Sequence, residues 1–170
     1  MPSLVSRFAT PLPHVCLLLA ILVPVAVIAI IATASAESLA MGLDLSVRMH
    51  AQMEFGWERR FIAALIALVP VSCLSYALLK ARDSLKRFNS GEYFSASAIA
   101  GIRGFGAGIF WSGLLTLVLA PIAIFALTGR NVLRLDMSTL VMLTVGGILW
   151  QIASMMQRAA ELAEENRQFI

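Results

Sequence analysis

The chain has 170 residues, 59% of them apolar and only 14% charged, with a mean hydropathy of +0.85. A soluble domain carries about 25% charged residues, so this chain cannot clothe itself in water, and lipid is its solvent over most of its surface. The net charge of +3 does not point to nucleic acid, because the basic residues flank the apolar runs, where they set membrane orientation.

Stretches free of Asp, Glu, Lys and Arg lie between Arg7 and Glu37, Arg60 and Lys80, Arg103 and Arg130, and Asp136 and Arg158. A helix needs about 20 apolar residues to cross the hydrocarbon, and lipid offers no partner to free backbone groups. The pattern predicts one all-α transmembrane domain over 1–170, an integral membrane four-helix bundle with spans at about 15–35, 61–79, 105–127 and 137–157.

The first run has a competing reading. Arg7, the apolar stretch Val15 to Ile31 and the triplet Ala34-Ser35-Ala36 resemble a secretory signal with its cleavage site, although the apolar run is long for one. Pro24, Pro70 and Pro121 fall inside the first three spans. Each removes a backbone donor and invites a kink. Cys16 and Cys73 lie within spans rather than loops, so they read as small apolar residues, not as a disulfide.

The loop between the second and third spans holds Lys80, Arg82, Lys86, Arg87 and Arg103 against Asp83 and Glu92. The loop before it balances Arg48, Arg59 and Arg60 against Glu37, Asp44, Glu54 and Glu58. The positive-inside rule therefore predicts that the middle loop and both termini are cytoplasmic. Arg59 and Arg60, at the outward end of the second span, run against that bias.

The middle loop reads as structured. Leu85 to Phe88 continues the second helix, Gly91 suits a C-terminal cap and Ser95 an N-cap. A protruding cytoplasmic helical hairpin follows, with Lys86 and Arg87 as a docking surface. In the third span Ala96, Ala100, Gly104, Gly108, Ser112, Thr116 and Ala120 recur at every fourth position. Small-xxx-small faces permit close backbone approach in lipid, either within the chain or to a partner subunit. Gly146 and Gly147 of the fourth span offer a second such point. Beyond Arg158 the fourth helix continues as an amphipathic C-terminal segment. Its acidic residues Glu161, Glu164 and Glu165 are expected to face Lys86 and Arg87.

The spans hold no Asp, Glu, Lys or Arg, which counts against a pump or coupled transporter. His14 and His50 fall on opposite sides of the membrane, so they cannot share a metal. Met49, His50, Met53 and Glu54 suit copper by ligand type, but one histidine among methionines more often marks an amphipathic surface. No nucleophile–base pair, phosphate-binding loop or paired-cysteine motif is present. No cofactor, metal or catalytic residue is expected, and the chain is not expected to be an enzyme.

Phe88-Asn89-Ser90-Gly91-Glu92-Tyr93-Phe94, followed by Ile102-Arg103 and Gly106, resembles the middle signature of the bacterial membrane family called domain of unknown function 2975. The tail Ala159-Ala160-Glu161-Leu162-Ala163-Glu164-Glu165-Asn166 is similar to that family's acidic C-terminus. The resemblance implies four spans and no assigned chemistry. It also suggests a small helix-turn-helix regulator as a cytoplasmic partner.

The expected role is a non-catalytic accessory or structural subunit of a larger membrane protein complex, docked through small-residue helix faces. The alternatives are a membrane-bound regulator of a cytoplasmic helix-turn-helix transcription factor, and a small oligomeric transporter.

Overall fold

The computed structural model describes residues 11–33, 57–91, 95–128 and 136–167, and within them the chain is entirely helical. The helices are α1 (Leu12–Thr33), α2 (Trp57–Asn89), α3 (Ala96–Thr128) and α4 (Met137–Arg167). Each is long and apolar enough to cross a membrane. The triplet Ala34-Ser35-Ala36 of the competing signal-peptide reading and the copper candidates Met49, His50, Met53 and Glu54 lie outside the described residues.

The helices outrun their charge-free cores. α2 and α3 have 33 residues each and α4 has 31. At 1.5 Å per residue each is close to 50 Å long, against roughly 30 Å of hydrocarbon. The extra turns of α2, α3 and α4 carry Lys80–Asn89, Ala96–Arg103 and Arg158–Arg167. All three extensions fall at one end of the molecule, the charged end, because consecutive helices run antiparallel.

The ends of the helices follow the sequence signals. Gly91 has φ +86°, a left-handed conformation that suits glycine, and it closes α2. Its N–H reaches the Phe88 carbonyl at 3.1 Å, and the Ser90 N–H reaches the Lys86 and Arg87 carbonyls. Ser95 caps α3: its Oγ accepts from the Ala98 N–H at 3.2 Å. At the other end Arg60 Nη1 donates to the Ala32 carbonyl at 3.3 Å. That contact places a cation at the carboxyl end of α1, where exposed carbonyls attract it. Arg60 thus has a structural reason to sit at the end where the orientation rule disfavours it.

The extensive contacts join α2 to α3, α3 to α4, and α1 to α2. Helices that are not consecutive barely touch among the described residues. The four helices therefore stand in chain order as a row, more open than the bundle expected, with α1 and α4 at its edges. The interior of the row is built from small residues. Ala63, Pro70, Ala77 and Ser84 are buried on α2, and Thr139, Gly146 and Ala153 on α4. Both sets recur every seventh residue, the period of left-handed helix pairs. No large side chain is fully buried among the described residues. Large apolar side chains face outward instead, as in Ile21, Val25, Phe125 and Ile148.

Candidate functional site

The glycines of α3 divide onto two faces. Gly101, Gly104, Gly108 and Ser112 meet α2, while Gly106 and Gly113 meet α4. At 3.6 residues per turn the two sets are roughly 130° apart around the helix axis. α3 is thus the centre of the row, and each neighbour approaches its backbone where no Cβ stands in the way.

The α2 seam is tightest at its ends and middle. A Cβ added at Gly101 would fall 2.0 Å from Ser84 Oγ, and one at Gly108 would fall 2.7 Å from Ala77 Cβ and 3.1 Å from the Cys73 carbonyl. Ser84 is buried, and its Oγ donates to the Lys80 carbonyl at 3.1 Å. Gly104 differs in kind, since a Cβ there would meet only the flexible Lys80 side chain, at 3.0 Å. The Lys80 ammonium stands 5.4 Å from the Tyr76 ring centroid, a cation–π arrangement. Two hydroxyls tie the seam: Ser112 Oγ donates to the Pro70 carbonyl at 2.9 Å, and Ser84 Oγ also reaches the Ala98 carbonyl, at 3.4 Å.

The α4 seam brings backbone against backbone. A Cβ at Gly106 would lie 2.6 Å from the Trp150 nitrogen, and one at Gly146 would lie 2.5 Å from the Phe110 nitrogen. Gly147 points elsewhere, with only the Phe110 ring near it at 3.7 Å. The Phe110 and Trp150 rings pack beside this crossing at 6.0 Å.

The residues proposed for partner docking therefore fall into two groups. Gly104, Gly108, Ser112 and Gly146 lie in seams within the chain. Ala100 is exposed and Gly147 half-buried, so neither belongs to the close contact. Gly101, Gly106 and Gly113 belong to the seams but fall outside the every-fourth-residue stripe that the sequence suggested.

At the charged end, Lys86 and Arg87 are exposed beside Asp83 and Ser90, around a shallow open depression. Glu161 and Glu165 are exposed too. Of the three carboxylates expected to face Lys86 and Arg87, Glu161 is bonded within α4, and the Glu164 side chain lies outside the described residues. Arg103 Nη1 of α3 donates to Gln157 Oε1 at 3.0 Å, and Gln157 Nε2 donates to Glu161 Oε1 at 3.0 Å. α4 packs on α3, and α3 stands between it and α2. Glu161 is thus linked to Arg103 of the nearer helix through Gln157.

Three hydroxyls within the spans bond inside their own helices, while the buried Ser75 Oγ has no hydrogen-bond partner. Thr116 donates to the Ser112 carbonyl, Thr144 to Leu140 and Ser154 to Trp150, at 2.8 to 2.9 Å. Among the described residues no group of three or more His, Cys, Asp or Glu is placed to hold a metal ion. Comparison of the chain with protein-family models, with curated proteins and with solved structures finds no match.

Proposed function

We propose that this chain is a non-catalytic subunit of a larger membrane protein complex in the bacterial inner membrane, with both termini and the charged end cytoplasmic. The observation that carries this reading is the open row: α1 touches little besides α2, and Leu18, Ile21, Leu22 and Val25 of its outer side stay exposed. The small-residue faces first suggested for docking are engaged within the chain. The docking surface is therefore the large apolar outer face of α1. A bundle closed on all sides would then arise only in the assembly. The charged turns of α2, α3 and α4, some 20 Å longer than the hydrocarbon requires, project into the cytoplasm as a helical hairpin with the α4 tail beside it.

The test is affinity purification of the tagged chain from native membranes in mild detergent, with mass spectrometry of what co-purifies. A large membrane protein in fixed ratio, released by Leu18→Trp or Ile21→Trp, is the expected result. Recovery of nothing but copies of this chain overturns the reading.

A second reading is favoured by Lys86, Arg87, Glu161 and Glu165, all exposed at the charged end. It makes the chain a membrane anchor for a cytoplasmic helix-turn-helix regulator, such as the family resemblance suggests. A soluble DNA-binding protein that co-purifies, and is lost on truncation after Arg158, would select it. The oligomeric transporter is disfavoured by spans without Asp, Glu, Lys or Arg.

A further inference from the structure

A groove of about 290 Å³ opens sideways between α2 and α3. Ser72, Cys73 and Tyr76 of α2 line it from one side, and Ala107, Gly108 and Trp111 of α3 from the other. Each trio has the spacing that shares one helix face, with small residues on the floor and an aromatic residue at the rim. Gly108 is buried, whereas Tyr76 and Trp111 stay about half exposed. The Ser72 hydroxyl is turned to the Val69 carbonyl at 2.7 Å, so it adds little polarity to the lining. All six residues lie within charge-free stretches, and hydrocarbon rather than water fills such a groove.

Lys80 stands at the charged end of this groove. It is one turn beyond Tyr76 on α2, and its stem rests against Gly104, one turn from Gly108 on α3. The stretch from Phe61 to Leu79 spans about 28 Å, so the Lys80 backbone sits at the edge of the hydrocarbon. A lysine at a span end commonly extends outward to the headgroups. Side chains of α2 lean the other way, toward the helix N-terminus and into the membrane. The Lys80 ammonium follows that lean and stands 5.4 Å from the Tyr76 ring centroid. Among the described residues no carboxylate or carbonyl meets it, Asp83 included. An ammonium at this depth is costly until an anion reaches it. Arg87, seven residues on and exposed, lies close to the same line of α2.

We infer that the α2–α3 groove binds an anionic phospholipid of the leaflet at the charged end. Its phosphate accepts from the Lys80 ammonium, and one acyl chain lies between Tyr76 and Trp111. A cation without a counter-ion and an apolar groove directly below it match the two halves of one such molecule. A free phosphate would leave the groove unfilled, and a partner helix, about 10 Å across, is too wide to enter it. A net negative headgroup is selected because a zwitterionic one brings a cation of its own toward Lys80. The site uses neither α1 nor the outer face of α4, so it is independent of the docking proposed above.

The test uses the full chain with Trp57→Phe and Trp150→Phe, which leaves Trp111 as the fluorophore at the groove, reconstituted in phosphatidylcholine vesicles. Phosphatidylglycerol with brominated chains should bind beside Trp111, and quench it, about fivefold more strongly than brominated phosphatidylcholine. Lys80→Gln should bring that ratio close to one, and Lys80→Arg should keep it. Lys86→Gln should leave most of it. Ala107→Leu should fill the floor and reduce quenching by the brominated phosphatidylglycerol. Lys80 and Ala107 side chains face the groove, so these variants should keep the helical circular dichroism of the parent. A parent ratio of one would overturn the inference, as would a ratio that survives Lys80→Gln. Equal loss on Lys86→Gln would reduce it to general attraction of the charged end and overturn it too. Sodium phosphate should compete no better than sodium chloride of equal ionic strength; stronger competition would assign Lys80 to a free phosphate and overturn the lipid.

Discussion

Ser112 of α3 donates its hydroxyl to the carbonyl of Pro70 on α2 at 2.9 Å, and both residues are buried. Pro70 cannot donate to the preceding turn, so α2 is locally weakened where it passes α3. The serine ties the two helices at that point. Ser112→Ala keeps the close approach and loses the bond. It should lower the stability of the helix pair by about 1 kcal/mol, in line with interhelical hydrogen bonds in membranes. Denaturation in mixed micelles, followed by tryptophan fluorescence, measures this. No change at all would mean that packing alone holds the crossing.

Gly146 and Gly147 are adjacent in sequence and opposite in consequence. Gly146→Ala pushes a methyl against the Phe110 nitrogen and the Gly106 carbonyl, at 2.5 and 2.9 Å. Backbone cannot step aside as a side chain can, so a loss of about 2–3 kcal/mol is expected. Gly147→Ala meets only the edge of the Phe110 ring, at 3.7 Å. It should be neutral, or stabilising by up to about 1 kcal/mol through helix propensity. Comparable melting temperatures for the two variants would contradict the α3–α4 crossing described above.

Gly101 and Ser84 form a matched pair. Gly101→Ala places its methyl on the Ser84 hydroxyl, which can escape only by leaving the Lys80 carbonyl. Ser84→Ala removes the obstructing atom. The double-mutant cycle should therefore show coupling of about 1–2 kcal/mol, with the double variant more stable than additivity allows. Additive effects would place the two residues out of contact.

Gly104→Ala and Gly108→Ala separate a yielding contact from a rigid one. Lys80 can swing away from an added methyl at Gly104, whereas Ala77 and the Cys73 carbonyl cannot at Gly108. Gly104→Ala should cost under about 1 kcal/mol, and Gly108→Ala about 2 kcal/mol or more. Thermal melts of the two purified variants compare them directly.

Arg60→Ala should loosen the last turn of α1 and leave α3 unaffected. The guanidinium's contact with the Ala32 carbonyl is a partly exposed cap, worth about 0.5–1 kcal/mol. Hydrogen exchange should quicken severalfold at the end of α1. Unchanged exchange there would show that Arg60 is an orientation signal and no more.

The helices and their ends were readable because single residues settle them. Charges bracket the spans, Gly91 supplies a left-handed cap, and the Ser95 hydroxyl accepts from the first-turn amide of Ala98. The seams were read less well, for a geometric reason. Steps of four residues advance about 40° beyond a full turn, so the stripe from Ala96 to Ala120 winds roughly 240° around α3. It cannot face one neighbour along its whole length, and Ala96 and Ala100 end up exposed. A seven-residue step drifts only about 20°, and it relates Gly101 to Gly108 and Gly106 to Gly113. The pairing of the acidic tail was unreadable for another reason. Charge names a suitable class of partner, but packing order decides which helix is near. Arg103 is joined to Glu161 through Gln157 because α4 lies on α3.

An interior built mostly of small residues, with no large side chain fully buried among the described residues, changes how stability responds to heat. In a soluble protein the side chains of the core come out of water on folding, which gives unfolding a large positive heat capacity and ΔG a domed temperature curve. Here the large side chains face outward, toward lipid tails whether the helices are joined or apart. Little apolar surface changes solvent when a seam opens. Separation of the helices should therefore carry a heat-capacity change near zero, and the row should weaken almost linearly on warming, with no optimum temperature and no cold limit.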